Sequence, residues 1–146
     1  MWAIKGIKKT NVSIADFLKK ANVDIEYTIE TVFKKDSLDM DENDREQLVH
    51  KIKETNVTEI LITHGTFTME DTAKYIGKLN LGKTTVLTGS FILGSSANTD
   101  VPFNLGYAIS SLQFLKSGIY VAMNGKIFLW NNVSENLETN KFERNE

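Results

Sequence analysis

Ile60-Leu-Ile-Thr-His-Gly-Thr-Phe-Thr-Met69 decides how this chain is read. Its first four residues are apolar or β-branched without polar alternation, the pattern of a strand covered on both faces. A loop with one glycine and two threonines follows, and residues 70–78 then read as a helix. Strand–loop–helix units of this kind build parallel sheets, whose ligands sit at the carboxyl ends of the strands. That end carries His64, Gly65, Thr66 and Thr68. Phe67 stands among them, where a polar side chain is expected.

The same grammar extends in both directions. Residues 84–88 and 118–123 are further buried-strand runs, and Asn124-Gly125 is a hairpin dipeptide leading into a return strand over 126–130. Residues 23–33 alternate apolar and polar side chains, which predicts a half-buried strand. Helices are predicted from Ser13, a cap with Asp16 three residues on, over 42–54 behind Asp41, and over 103–115 behind Pro102. Residues 1–12 read as irregular or as a partial strand, because Lys5, Lys8 and Lys9 interrupt Trp2, Ile4 and Ile7. Residues 131–146 read as a polar tail. The sum is one domain over 1–146: a three-layer α/β fold of Rossmann or flavodoxin type with a mostly parallel sheet.

Composition narrows the function classes. A chain of 146 residues with 41% hydrophobic and 25% charged residues can bury a core and has an ordinary soluble balance. A net charge of −2 offers no basic field to nucleic acid. Without cysteine there is no thiol nucleophile or zinc–thiolate site, and two histidines make a transition-metal centre a poor expectation. No run is long and apolar enough to cross a membrane, and no secretion signal is visible. We expect a cytoplasmic protein with no metal and no cofactor.

Three loops hold the polar groups that chemistry would need. In the first, Thr66 and Thr68 follow the strand and His64 is the one nearby base; the plainer reading makes Thr68 a helix cap and His64 a structural residue. In the second, Asp36-Ser37-Leu38-Asp39 follows an earlier strand, and Ser37 there either binds a small polar ligand or closes a turn. The third is Thr88-Gly-Ser-Phe-Ile-Leu-Gly-Ser-Ser-Ala-Asn-Thr-Asp100, where small residues permit close backbone approach and Asp100 offers a charge. It lacks the spacing and lysine of a phosphate loop.

Taken together these segments resemble the N-terminal domain of bacterial-type L-asparaginases, in particular short asparaginase-like proteins consisting of that domain. The resemblance rests on Lys35-Asp-Ser-Leu-Asp-Met40, Ile62-Thr-His-Gly-Thr-Phe-Thr-Met-Glu-Asp-Thr-Ala73, Val86-Leu-Thr-Gly-Ser90, Ser95-Ser-Ala-Asn-Thr-Asp-Val-Pro-Phe-Asn-Leu105 and Gly118-Ile-Tyr-Val-Ala-Met-Asn-Gly-Lys-Ile-Phe128. It implies hydrolysis of the asparagine side-chain amide by threonine nucleophiles. One belongs to a Thr-Gly-Gly-Thr-Ile motif after the first strand. The other opens His-Gly-Thr-Asp-Thr and works with the adjacent aspartate and a distant lysine. A serine in the preceding loop holds the substrate's α-carboxylate. By position the second threonine is Thr66, beside Gly65, and the serine is Ser37.

The chain departs from that pattern at three places. No Gly-Gly-Thr motif occurs, and the first strand of the family is expected to be missing. Phe67 replaces the aspartate, and Glu135, in Val133-Ser-Glu-Asn136, replaces the lysine of a Val-x-Lys-Asn pattern. Phe67 is expected to put an apolar ring into a polar pocket. Glu135 sets an anion where a cation would favour a threonine alkoxide. Removing one member of such a set abolishes most of its rate. An upstream extension would restore a strand and a threonine but neither of the other two residues.

The expectation is therefore a non-hydrolysing domain that binds a small amino-acid ligand or a partner. The alternatives are an amidohydrolase using Thr66 and a structural subunit of a larger assembly. A missing central strand would expose the backbone of residues 25–31 and 59–63, so either Trp2–Ile7 fills part of the gap, or a homodimer or another partner covers that sheet edge, or the domain is marginally stable. Neither nucleic acid nor membrane is expected as a partner.

Overall fold

The computed structural model describes residues 2–7 and 13–145. A six-stranded sheet runs in the order β2-β1-β3-β4-β5-β6. Its strands are β1 (Trp2–Ile7), β2 (Tyr27–Phe33), β3 (Glu59–Thr63), β4 (Thr84–Thr88), β5 (Gly118–Met123) and β6 (Lys126–Leu129). The first five pair in parallel, and β6 returns antiparallel to β5. The Asn124-Gly125 turn that permits the return has φ of 55° and 71°, the left-handed values a tight hairpin requires.

Helices cover both faces. Leu48, Val49 and Ile52 of α2 (Glu42–Glu54) and Met69, Ala73 and Ile76 of α3 (Met69–Gly77) pack with Ile60, Ile62 and Leu87. On the opposite face, Leu18 of α1 (Ile14–Lys20) and Leu105, Ala108 and Leu112 of α4 (Val101–Leu112) meet Ile4, Leu61 and Val86. This is the three-layer, mostly parallel α/β fold expected. Adjacent residues of β3 and β4 serve opposite cores, which is why those strands read as unbroken apolar runs.

Three sequence expectations are overturned. The first strand is not missing: Trp2–Ile7 lies between β2 and β3, with Ile4 opposite Ile29 and Leu61. Residues 25–31 and 59–63 therefore have no gap between them for a partner strand to fill. Lys5 had obscured the strand. It is 8% exposed, its stem lies in the sheet, and its ammonium meets Glu30 at 2.6 Å. Second, β2 begins at Tyr27, so residues 23–26 of the alternating run lead into the strand without belonging to it. Third, residues 131–146 are not simply a polar tail, because β7 (Ser134–Asn136) and β8 (Lys141–Glu143) form an antiparallel hairpin. Val133 and Phe142 anchor it in the core, both essentially buried. Two apolar residues among many polar ones were too sparse a period to signal strands.

Candidate functional site

The carboxyl ends of β2 and β3 bring two short turns together. After β2, Asp36 caps a 3-10 turn at Ser37–Asp39 by accepting from the Leu38 amide at 3.1 Å. After β3, the chain passes through His64 and Gly65 into a 3-10 turn at Thr66–Thr68 that continues as α3. A Cβ on Gly65 would stand 2.4 Å from Ser37 Oγ, so only glycine lets the turns approach this closely. Thr68 stitches them: its hydroxyl donates to the Ser37 carbonyl at 2.7 Å. The expected cap is corrected by that bond, since Thr68 gives no side-chain hydrogen bond to the start of α3.

Ser37 is buried, and its hydroxyl oxygen has no hydrogen-bond partner among the described residues. An unpaired buried hydroxyl is costly, which makes Ser37 a group ready for a polar contact. Thr66 is also buried.

His64 is structural. Its Nδ1 lies 2.7 Å from the Gly65 carbonyl, which can only accept, so that nitrogen carries the proton. Its Nε2 then accepts from the Thr72 hydroxyl at 2.8 Å, and Thr72 Oγ1 in turn accepts from Arg45 Nε at 3.0 Å. Burial, opposed by the Gly65 bond and assisted by the Arg45 cation, pushes His64 down from 6.5 to about 4. It is neutral at physiological pH and committed to α3, away from Thr66. Thr72 and Arg45 were not singled out from the sequence, and only the (i, i+8) spacing from His64 into the helix hinted at Thr72.

Glu135 comes to Thr66 from the β7–β8 hairpin. Its backbone amide donates to Glu70 Oε2 at 2.9 Å, tying the hairpin to the first turn of α3, where Glu70 also pairs with Lys74 at 3.6 Å. Burial and the Glu70 charge hold the Glu135 carboxyl above the usual range, while the hydrogen bond to the Thr66 side chain pulls it down. The charged neighbour felt by Glu135 is thus a second carboxylate. Glu70 too was unmarked in the sequence, where it reads as a first-turn acid suited to the helix dipole.

Phe67 does not fill the pocket as expected. Its ring is 56% exposed, and Leu38 on the facing turn is 60% exposed. A backbone that turns from strand to helix at Thr66 sends alternate side chains in and out, so Thr66 goes inward and Phe67 to solvent. Asp100 is also spent within the fold: its carboxylate accepts from the Phe91 and Ile92 amides, each at 3.0 Å, and from Asn104 Nδ2 at 2.9 Å. It shapes the loop ahead of α4. Among the described residues no three His, Asp or Glu side chains gather as a metal site, and no helix is long and apolar enough to cross a membrane.

The arrangement offers hydroxyl donors at Ser37 and Thr66 and a carboxyl at Glu135, at a helix start where the Met69 amide already donates to the Thr66 carbonyl. Comparisons with known proteins give the family and the fold. Residues 4–143 match the family described as Asparaginase, N-terminal. A glutaminase-asparaginase of Acinetobacter glutaminasificans is 35% identical over 97 residues, covering 62% of this chain and 29% of that protein. The L-asparaginase of Thermococcus kodakarensis superposes with a TM-score of 0.83 at 29% identity, over 98% of this chain and 50% of that one. A probable cytoplasmic L-asparaginase from Campylobacter jejuni gives 0.79 at 28% identity, over 92% and 47%. The chain spans about half the length of these solved relatives and less than a third of the curated one.

Proposed function

The chain belongs to the asparaginase N-terminal family, and from that premise we propose that it binds a small amino-acid ligand or a partner and does not hydrolyse amides. One observation supports the reading: the Glu135 carboxyl lies close enough to the Thr66 side chain for each to feel the other, and a second carboxylate, Glu70, stands beside it. A threonine becomes a nucleophile when its alkoxide is stabilised. An adjacent anion backed by a second carboxylate works against that state, and its effect is large where water is scarce. The neutral, fully bonded His64 is no substitute base. Phe67 has no carboxylate to receive a ligand ammonium. After β1 the sequence reads Lys8-Lys-Thr-Asn-Val12, with no Gly-Gly-Thr, and these residues lie outside the described ones.

The supported ligand chemistry is a small acid or amide, met by Ser37 Oγ and the amides at the start of α3. We also propose a cytoplasmic location, in keeping with the relative from Campylobacter jejuni described as cytoplasmic. A calorimetric titration with L-aspartate and L-asparagine, with ammonia measured on the same sample, tests the proposal. Binding without ammonia is expected. Ammonia release in proportion to protein contradicts it.

A second reading has one observation in its favour. A carboxylate hydrogen-bonded to a hydroxyl is also the geometry of a general base and its nucleophile. That reading requires Thr66-dependent turnover that Glu135→Gln abolishes without weakening ligand binding.

A further inference from the structure

The Asn124-Gly125 turn does more than reverse the chain between β5 and β6. Both residues are exposed, yet the Asn124 side chain is bonded to a different element. Its Nδ2 donates to the Asn140 carbonyl at 3.1 Å, and its Oδ1 accepts from the Phe142 amide at 2.8 Å. One partner can only accept and the other can only donate, so the carboxamide has a single orientation. It stands in for a peptide group of a neighbouring strand and clasps β8 on both sides of Lys141. Phe142 is the buried anchor of β8 and lies directly opposite Glu135 in the β7–β8 ladder. The clasp therefore holds the hairpin that brings Glu135 to Thr66.

Asn124 is also the one asparagine of the chain that is followed by glycine. A glycine amide carries no neighbouring Cβ to block its approach to the carboxamide carbon before it. We propose that Asn124 is a site of spontaneous deamidation, and that its product cannot clasp β8, so the modification releases the hairpin irreversibly. In the first step the Gly125 nitrogen bonds to Asn124 Cγ and the Cγ–Nδ2 bond breaks. The Gly125 amide proton leaves with the departing nitrogen as ammonia, and a succinimide remains. Water then opens the ring at either carbonyl, giving aspartate or isoaspartate. Neither retains Nδ2. Aspartate sets a carboxylate oxygen against the Asn140 carbonyl, two acceptors with no proton between them. Isoaspartate lengthens the main chain inside a two-residue turn, where loop length sets the register of the strands. While the clasp is closed its two hydrogen bonds fix the carboxamide, so the reaction proceeds through local opening of the hairpin. Opening is reversible before the reaction and not after it. Asn22, Asn80 and Asn140 also have positive φ, but they precede Val23, Leu81 and Lys141, whose side chains hinder the attack.

Peptide mapping by mass spectrometry, after incubation of the full chain at mildly alkaline pH, gives the first readout. Conversion to an aspartate and isoaspartate mixture is expected at Asn124 ahead of every other asparagine. Phe142→Ala removes the anchor and is expected to speed the conversion by about tenfold or more, well within the scale of losing a buried aromatic. Asn124→Asp, which needs no such cavity, gives the second readout. It is expected to raise hydrogen exchange at the Phe142 amide by about tenfold, the worth of one hydrogen bond, while exchange in β3 and β4 stays unchanged. The ammonia released is no more than stoichiometric and appears without L-asparagine, so the result is independent of whether the crevice binds or hydrolyses a ligand. An Asn124 amide that survives while another asparagine converts overturns the proposal. So does a conversion rate that Phe142→Ala leaves unchanged, or a Phe142 amide equally protected in Asn124→Asp and wild type.

Discussion

Gly65 lies so close to Ser37 that a Cβ on the glycine would stand 2.4 Å from the serine Oγ and 2.9 Å from its Cβ. The serine oxygen can rotate aside, but its Cβ cannot. Gly65→Ala is therefore expected to cost about 1–3 kcal/mol, the scale of overpacking, and to weaken ligand binding by spreading the two turns. The same substitution in a Ser37→Gly background is expected to cost less, because the colliding atoms are gone. Urea denaturation of the four proteins of this cycle checks the coupling.

His64 sets a segment of the pH dependence. Its pKa falls from 6.5 to about 4 on folding, so between those values the unfolded chain binds the proton more tightly. The resulting stability is complete above pH 6.5 and is lost as pH falls through about 4. It amounts to roughly 3 kcal/mol. His64→Gln is expected to destabilise the protein at pH 7 and to flatten the decline between pH 6.5 and 4. Urea midpoints across that range measure both effects.

Glu135 carries the opposite sign. Burial and Glu70 raise its pKa in the folded state, so its contribution is present at low pH and is lost as pH rises through the folded value. Glu135→Gln keeps an oxygen to accept from Thr66 and removes the charge. It is expected to raise the urea midpoint at pH 7, with the gain vanishing in acid. An equal gain at every pH would show that the carboxylate's charge is not the cause.

Two threonines of β4 separate hydroxyl burial from hydroxyl bonding. Thr85 Oγ1 is buried without a partner among the described residues, whereas the Thr88 hydroxyl donates to the Ala122 carbonyl at 2.8 Å. Thr85→Val is expected to be neutral or stabilising. Thr88→Val is expected to cost about 1 kcal/mol or more, the worth of a buried hydrogen bond and its orphaned acceptor. Thermal unfolding of the two variants decides between them.

Much of this architecture is legible in the sequence because burial on two faces leaves a plain mark. The runs at 60–63 and 84–88 lack polar alternation, and Asn124-Gly125 announces its hairpin. Trp2–Ile7 was legible only as a partial strand, because a lysine at its centre hides a buried stem and an ion pair with Glu30, a partner 25 residues away. The β7–β8 hairpin escaped because only Val133 and Phe142 anchor it. At the candidate site, the resemblance brought Ser37, Thr66 and Glu135 into consideration; the fold sets the Ser37 turn against Gly65 and Glu135 near Thr66. Local reading failed for Phe67 and Thr68. Whether a side chain turns inward, or bonds to a carbonyl 31 residues back, depends on backbone geometry that no period encodes. Thr72, Arg45 and Glu70 act through contacts across elements, which their local sequence does not mark.

The central claim of the proposal is that Thr66 keeps its proton beside the Glu135 carboxyl and attacks nothing. A long-incubation assay of ammonia from L-asparagine near neutral pH, with wild type and Thr66→Ala side by side, tests it most directly. The account predicts the same low background from both proteins. Ammonia that accumulates with wild type and disappears with Thr66→Ala would contradict it.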